Sequence, residues 1–88
     1  MNTSFRESFK KDIRVIRDRS VLARIKTVIE SVEAAPNMRA IAGLKKLKGA
    51  TDYYRVRVGQ YRIGLVLIGN DVAFVRILHR KDIYRYFP

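Results

Sequence analysis

Three arginines lie close together in the segment YYRVRVGQYRIG, residues 53–64. Arg55, Arg57 and Arg62 fall within this segment, which contains no acidic residue. Arginine binds phosphate well, because its planar guanidinium donates paired hydrogen bonds and keeps its charge at any physiological pH. The segment therefore predicts a phosphate or carboxylate site. A plain solvated sheet face is the alternative.

Apolar and charged side chains alternate along this segment, as is typical of β-strands. Gly59-Gln60 fits a two-residue hairpin turn between strands over residues 53–58 and 61–68, which pairs Arg57 with Arg62. Directly opposed side chains lie on the same face, roughly 5 Å apart. These two like charges are therefore expected to repel each other unless they share an anion.

The same register places Gly64 opposite Arg55. A missing side chain beside an arginine predicts a shallow recess for the backbone of a ligand. The other face of this hairpin is apolar and is expected to receive helices; it consists of Tyr54, Val56, Ile63 and Leu65. The arginines should then occupy the sheet face that the helices leave uncovered.

The segment LHRKDIY holds the one histidine of the chain, His79, followed by Arg80 and Tyr84. Cleavage of RNA by its own 2′-hydroxyl needs a base, charge stabilisation at the phosphorus and an acid for the leaving oxygen. We expect His79, Arg80 and Tyr84 to supply these groups at one edge of the arginine face. A purely structural histidine is the alternative.

Lysines in the segment KKLKG form a further basic cluster before the hairpin. Lys45, Lys46 and Lys48 are expected to extend the basic track of the arginines. A solvated loop is the other interpretation, because lysine clusters in loops usually have no ligand.

Two amphipathic helices are predicted before the sheet. The first begins at Ser4, which forms a capping box with Glu7, and its apolar stripe consists of Phe5, Phe9, Ile13 and Ile16. The second is capped by Ser20 and ends before Pro36. A tight DRS turn joins them into a helical hairpin.

The remaining segments complete the predicted order of elements. Residues 37–52 are expected to form a loop with one turn of helix from Met38 to Ile41. A third strand is predicted over Val72–Leu78, followed by a final helical turn or an ordered tail. The sequence thus predicts a single α+β domain over residues 1–88, with an N-terminal helical hairpin packed on one face of a three- to four-stranded antiparallel sheet.

Composition limits the classes of function. The formal net charge of +11 over 88 residues indicates a polyanionic partner, with a merely soluble basic surface as the alternative. There is no cysteine, and the sequence shows no metal-ligand cluster, so we expect no metal and no small-molecule cofactor. The longest apolar run, LVLI, is too short to span a bilayer, and a cytoplasmic location without membrane contact is expected.

The segments YYRVRVGQYRIGLVL and VAFVRILHRKDIYRYF resemble the RelE/ParE superfamily of toxins from type II toxin–antitoxin modules. The resemblance extends over nearly the whole chain from Phe5. It implies a cognate acidic antitoxin and, for the RelE branch, cleavage of mRNA on the ribosome by a basic sheet face. It also implies that Arg55, Arg57 and Arg62 bind or activate the scissile phosphate, with Arg62 among the catalytic residues. His79 and Arg80 match the segment after the last strand, and Tyr84 matches the tyrosine that stacks on the substrate base.

Two departures from the family pattern affect these expectations. The ribonuclease members carry lysines at the first two sheet positions, where this chain has Arg55 and Arg57, and arginine does not release a proton near neutral pH. His79 is therefore expected to act as the base. Only residues 1–3 precede the predicted first helix, so the initial edge strand of the family is expected to be shortened or missing.

Two other functions stay open at this point. The ParE branch of the same superfamily poisons DNA gyrase without hydrolysing anything. A basic RNA-binding module without toxicity is the other possibility.

Overall fold

A five-stranded sheet forms the centre of the protein in the computed structural model, which describes residues 1–49 and 51–88. The strand order is β1-β5-β4-β3-β2. The strands are β1 Asn2–Phe5, β2 Leu44–Lys46, β3 Tyr53–Val58, β4 Tyr61–Ile68 and β5 Asp71–His79; the helices are α1 Glu7–Arg14, α2 Arg19–Ala34 and α3 Ile83–Tyr86, and a short 3-10 helix covers Met38–Ala40.

The central hairpin has the predicted register. Strands β3 and β4 pair with Arg57 opposite Arg62 and Arg55 opposite Gly64. Gly59 in the turn has a φ of +58°, a backbone conformation that glycine adopts without strain. The short helical turn after Asn37 and the final helical turn are also confirmed.

The prediction of an antiparallel sheet of three to four strands is wrong, because an N-terminal strand is present. Strand β1 pairs in parallel with β5, which makes the sheet mixed. Phe5 belongs to this strand and stacks on Phe74 with ring centroids 5.1 Å apart. The four-residue spacing of Phe5 and Phe9 fits a helical stripe, but Phe5 lies on β1 and Phe9 on α1. Their ring centroids are 5.8 Å apart across the junction between the strand and the helix.

Strand β2 lies within the segment that the sequence predicts as a loop. Its three residues pair with β3, placing Lys45 opposite Arg55. A strand this short has too few alternating positions to show a period of two. Ala50, in the same predicted loop, lies outside the described residues.

The two long helices do not form the predicted hairpin. Helix α1 packs on β5, whereas α2 contacts β1 and β3. The capping box at Ser4 is also wrong, since α1 begins at Glu7 after Arg6, which makes no side-chain cap. A strand comes first because the sheet edge at β5 offers Ser4 backbone hydrogen bonds.

Helix α2 is capped by Asp18 rather than by Ser20. The Asp18 carboxylate accepts hydrogen bonds from the Ser20 hydroxyl at 2.7 Å and from the Ser20 and Val21 amides at 2.9 and 3.3 Å. The Ser20 hydroxyl, followed by the backbone amides, holds the pKa of Asp18 below its usual value. Such a cap stabilises the helix while the carboxylate is ionised, and the contribution is lost as the pH falls through the lowered pKa.

The hydrophobic core lies between the helices and one face of the sheet. Its largest fully buried side chains are Phe9, Ile25, Ile63, Leu65, Phe74 and Ile77, with Val56 and Val58 beside them. The apolar hairpin face therefore receives the helices as predicted. Among the described residues, no helix has both the length and the apolar character that a membrane span requires.

Candidate functional site

The β3–β4 hairpin places its arginines on the sheet face opposite the hydrophobic core. Val56 and Ile63 are opposed in register and are 2% and 0% exposed. Arg57 and Arg62 are the neighbouring opposed pair, so their side chains leave the sheet on the other side. The sequence prediction of an arginine face is confirmed in this respect.

These arginines line one cleft of about 340 Å³. The lining residues are Gly43, Lys45, Arg55, Arg57, Arg62 and Tyr84. Five of the side chains named from the sequence are thus brought together. No carboxylate lies within ion-pair distance of the four cleft cations in the part of the chain that the structure describes.

Two of the arginines contact other groups of the protein. The Arg62 guanidinium donates from Nη1 to the carbonyl oxygens of Gly59 at 3.0 Å and Tyr61 at 2.9 Å. The Arg55 guanidinium lies over the Tyr84 ring at 4.6 Å from its centroid. These contacts leave further N–H donors of both groups for an anion in the cleft.

Tyr84 is positioned by the C-terminal helical turn. Ile83 and Phe87 are 1% and 5% exposed and anchor this turn, whereas Tyr84 is 71% exposed. A Cβ built on Gly64 would lie 2.7 Å from the Phe87 ring. The predicted recess for a ligand backbone at Gly64 is therefore wrong, because Phe87 fills that space.

His79 lies away from the cleft, contrary to the sequence expectation. It pairs with Tyr61 in register, on the core side of the sheet, and the two rings meet edge to face at 5.8 Å. Its Nδ1 accepts a hydrogen bond from the Lys81 amide at 3.2 Å. Arg80 is exposed and does not line the cleft. The structure thus does not bring His79 and Arg80 to the cleft that contains Arg62 and Tyr84.

The lysines of the KKLKG segment lie along a second, adjoining cleft of about 450 Å³. Its lining residues are Lys45, Lys46, Leu47, Lys48, Arg55, Ile83, Tyr84, Phe87 and Pro88. Lys45 lines both clefts, since its position on β2 is directly opposite Arg55. The stacked Arg55 and Tyr84 side chains are also shared by the two clefts.

A fourth sheet arginine, Arg76, differs from the others because it has a carboxylate partner. Asp12 of α1 accepts from Arg76 Nε at 2.7 Å and from Nη2 at 3.0 Å, and also from the Ile77 amide at 3.0 Å. Hydrogen bonding to Asp12 raises the pKa of Arg76 above its ordinary value. Sequence reasoning missed this pair, and its one sequence signal is an aspartate within the apolar stripe of the first helix.

The chemistry available in the cleft is anion binding. Three guanidinium groups and one ammonium converge where no described carboxylate neutralises them, and an exposed aromatic ring stands beside them. Such a set suits a phosphodiester, whose oxygens accept paired hydrogen bonds while an adjacent base stacks on the ring. No group of three or more His, Cys, Asp or Glu side chains suitable for a metal occurs among residues 1–49 and 51–88.

Comparison with known proteins gives a family match. A sequence model described as the ParE toxin of the type II toxin–antitoxin system parDE matches residues 4–84. The toxin RelE3 of Methanocaldococcus jannaschii is 40% identical to this chain over an alignment of 89 positions, which covers 100% of each chain.

Solved structures give a similar result. The RelB–RelE antitoxin–toxin complex from Methanococcus jannaschii contains a chain with a TM-score of 0.81 and 40% identity, covering 97% of this chain and 99% of that chain. The YoeB dimer from Staphylococcus aureus has a TM-score of 0.73 at 19% identity, covering 91% and 97%, which shows the shared fold.

Proposed function

We propose that this chain, which belongs to the RelE/ParE family of type II toxin–antitoxin toxins, is an endoribonuclease that cleaves mRNA on the ribosome. The observation that carries the proposal is the cleft in which Arg55, Arg57 and Arg62 converge beside Tyr84. The proposed site of action of the protein is the cytoplasm, where mRNA is translated.

The proposed role of the arginines is to bind and stabilise the scissile phosphate. Attack by the 2′-hydroxyl increases the negative charge on the phosphate oxygens, and fixed donors lower the energy of that state. Arg62 is already held by two carbonyl oxygens of the hairpin turn, so its guanidinium needs little reorganisation to meet this charge. Tyr84 would stack on the base next to the cleaved bond.

The residues that line the cleft support a proposal for the proton-transfer groups. Arginine does not deprotonate in proteins, which leaves Lys45 and the Tyr84 hydroxyl as the cleft groups able to exchange a proton. His79 and Arg80 lie outside this set, so we do not include them in the proposed mechanism. The ribosome would then supply the alignment of the mRNA.

The proposed partner that controls this activity is an acidic antitoxin. The solved structure at 40% identity is a complex of the toxin RelE with the antitoxin RelB. A protein of charge +11 should associate rapidly with an acidic partner, at a rate that falls as salt increases.

Single-turnover cleavage of mRNA on programmed ribosomes tests the proposed activity. Arg62→Ala should lower the rate by on the order of 10² to 10³, the usual effect of removing one donor to a developing oxyanion. Arg14→Ala removes the same charge from an exposed position on α1 and should cleave near the wild-type rate. Equal rates for the two variants would contradict the role of the cleft.

The match to the ParE toxin model supports a second candidate, a non-enzymatic inhibitor of DNA gyrase. A supercoiling assay run beside primer extension on mRNA separates the two functions. Inhibited supercoiling with intact mRNA would replace the nuclease proposal by the gyrase one.

A further inference from the structure

A smaller cleft of about 210 Å³ lies where α2 meets the hairpin edge. Its lining residues are Arg24, Thr27 and Val28 of α2, together with Arg57 and Val58 of β3. Neither the sequence pattern nor the family expectations assign it a role. Arg57 belongs to this cleft and also to the arginine cleft, so the two are continuous through one side chain.

The strand edge at this cleft is open. The pairing of β2 with β3 ends where Leu44 meets Val56, so Arg57 lies beyond the last residue that β2 covers. In the β3–β4 ladder, the pair that closes a two-residue turn is Val58 and Tyr61, and the backbone groups of the preceding residue point away from the partner strand. The Arg57 amide is therefore directed toward this edge.

The Arg24 side chain lies close to the hairpin turn at the same edge. A Cβ built on Gly59 would lie 2.9 Å from the Arg24 Nη1 atom, so this guanidinium packs over the turn where a side chain would displace it. Among the described residues, neither Arg24 nor Arg57 has a carboxylate within ion-pair distance. Two guanidinium groups thus converge on an open strand edge.

The size and lining of the cleft favour a phosphate over a protein side chain. Its apolar wall consists of Val28 and Val58, and Val58 is 1% exposed, which leaves little apolar surface for an anchor residue. Protein partners usually rely on such buried apolar anchors, whereas nucleic acid backbones are held chiefly by charge. A cleft of about 210 Å³ has room for one phosphate group between the two arginines.

We propose that Arg24 and Arg57 bind a backbone phosphate of RNA that lies next to the phosphate in the arginine cleft. This inference rests on the proposed action on RNA and deepens it by giving the path of the strand. The strand would run from Tyr84 across the arginine face and leave over the hairpin turn toward α2. Arg57 would contact both phosphates.

Binding of a nine-nucleotide single-stranded RNA, measured by fluorescence anisotropy over a series of salt concentrations, tests this proposal. Arg24→Ala should weaken binding and reduce the slope of log K against log salt by about 0.7, the value for one phosphate contact on a single strand. Arg24→Lys keeps the charge and should retain the wild-type slope. Arg19→Ala removes one charge from the same helix outside the cleft and should leave the slope unchanged.

The outcomes separate this inference from the proposed function. Equal slopes for Arg24→Ala and Arg19→Ala, with RNA bound by both, would overturn the second phosphate site and leave the nuclease proposal standing. An RNA that fails to bind the wild-type protein at low salt would overturn this inference alone, because the proposed function is tested separately by cleavage of mRNA on programmed ribosomes. If Arg24→Ala weakens binding to an acidic antitoxin but not to RNA, the cleft binds a protein partner and the inference is overturned.

Discussion

Arg76 and Arg57 belong to the same sheet, but their surroundings differ in one respect. Arg76 is held by Asp12 through two hydrogen bonds, and the carboxylate also accepts from a strand amide. Arg57 faces Arg62, another cation, and has no described carboxylate nearby. The difference indicates which arginines the fold depends on and which are available to a ligand: breaking an arginine–carboxylate pair leaves an uncompensated charge, whereas opposed arginines repel each other until an anion arrives.

The largest effect is expected at Asp12. Asp12→Ala should lower the free energy of unfolding by about 3 kcal/mol, because Arg76 would keep its charge without a partner and the Ile77 amide would lose its acceptor. Urea denaturation measures this loss. Glu7→Ala is the matched control, since its pair with Lys10 is exposed and should contribute less than about 0.5 kcal/mol. Similar losses in both variants would contradict a structural role for the Asp12 pair.

This contrast also explains what the sequence could and could not predict. The hairpin register follows from local alternation and a two-residue turn, so the opposition of Arg57 and Arg62 was predictable. The partner of Arg76 lies 64 residues away, and no local pattern connects the two positions. No local pattern indicates strand β1 for the same reason, because its pairing with β5 depends on backbone groups at a distant edge, and the family resemblance alone pointed to such a strand.

The position of His79 shows a different limit of sequence reasoning. The histidine follows the last strand in the segment that also carries Tyr84, which suggested a shared site. Alternation along β5 puts Leu78 opposite Arg62 and His79 opposite Tyr61, so the two side chains leave the sheet on different faces. The register between β4 and β5 decides which face His79 occupies, and a β-bulge between Gly64 and Leu65 shifts that register by one residue.

An intermediate effect is expected at Gly64, where the arginine face meets the C-terminal turn. Gly64→Ala should lower stability by about 1 to 3 kcal/mol, because the added methyl group would overlap the Phe87 ring and force it to move. Thermal unfolding measures the loss. In a Phe87→Ala background the added methyl group should be tolerated, and an equal loss in both backgrounds would show that the ring is not the obstacle.

A smaller effect is expected at Ser8, which also attaches α1 to β5. Its hydroxyl donates to the Val75 carbonyl oxygen at 2.6 Å, next to the ion pair of Asp12 and Arg76. Ser8→Ala should lower the free energy of unfolding by about 1 kcal/mol. Ser31→Ala serves as the control, because that hydroxyl is exposed and bonds only within its own helix. A larger loss for the control would show that the contact between α1 and β5 is weak.

The smallest effect on stability, with the opposite sign, is expected at Arg57. Arg57→Ala should leave the free energy of unfolding unchanged or raise it by a few tenths of a kcal/mol, since it removes a like charge directly opposite Arg62. Any gain should shrink as salt is added, because exposed charges are screened.

Arg76→Ala removes the same charge from the same sheet but should destabilise the protein, since it leaves Asp12 buried without its partner. Urea denaturation at low and high salt compares the two variants directly. A loss above about 1 kcal/mol for Arg57→Ala would show that this arginine supports the fold, and the contrast between paired and unpaired arginines would then no longer separate stability from function.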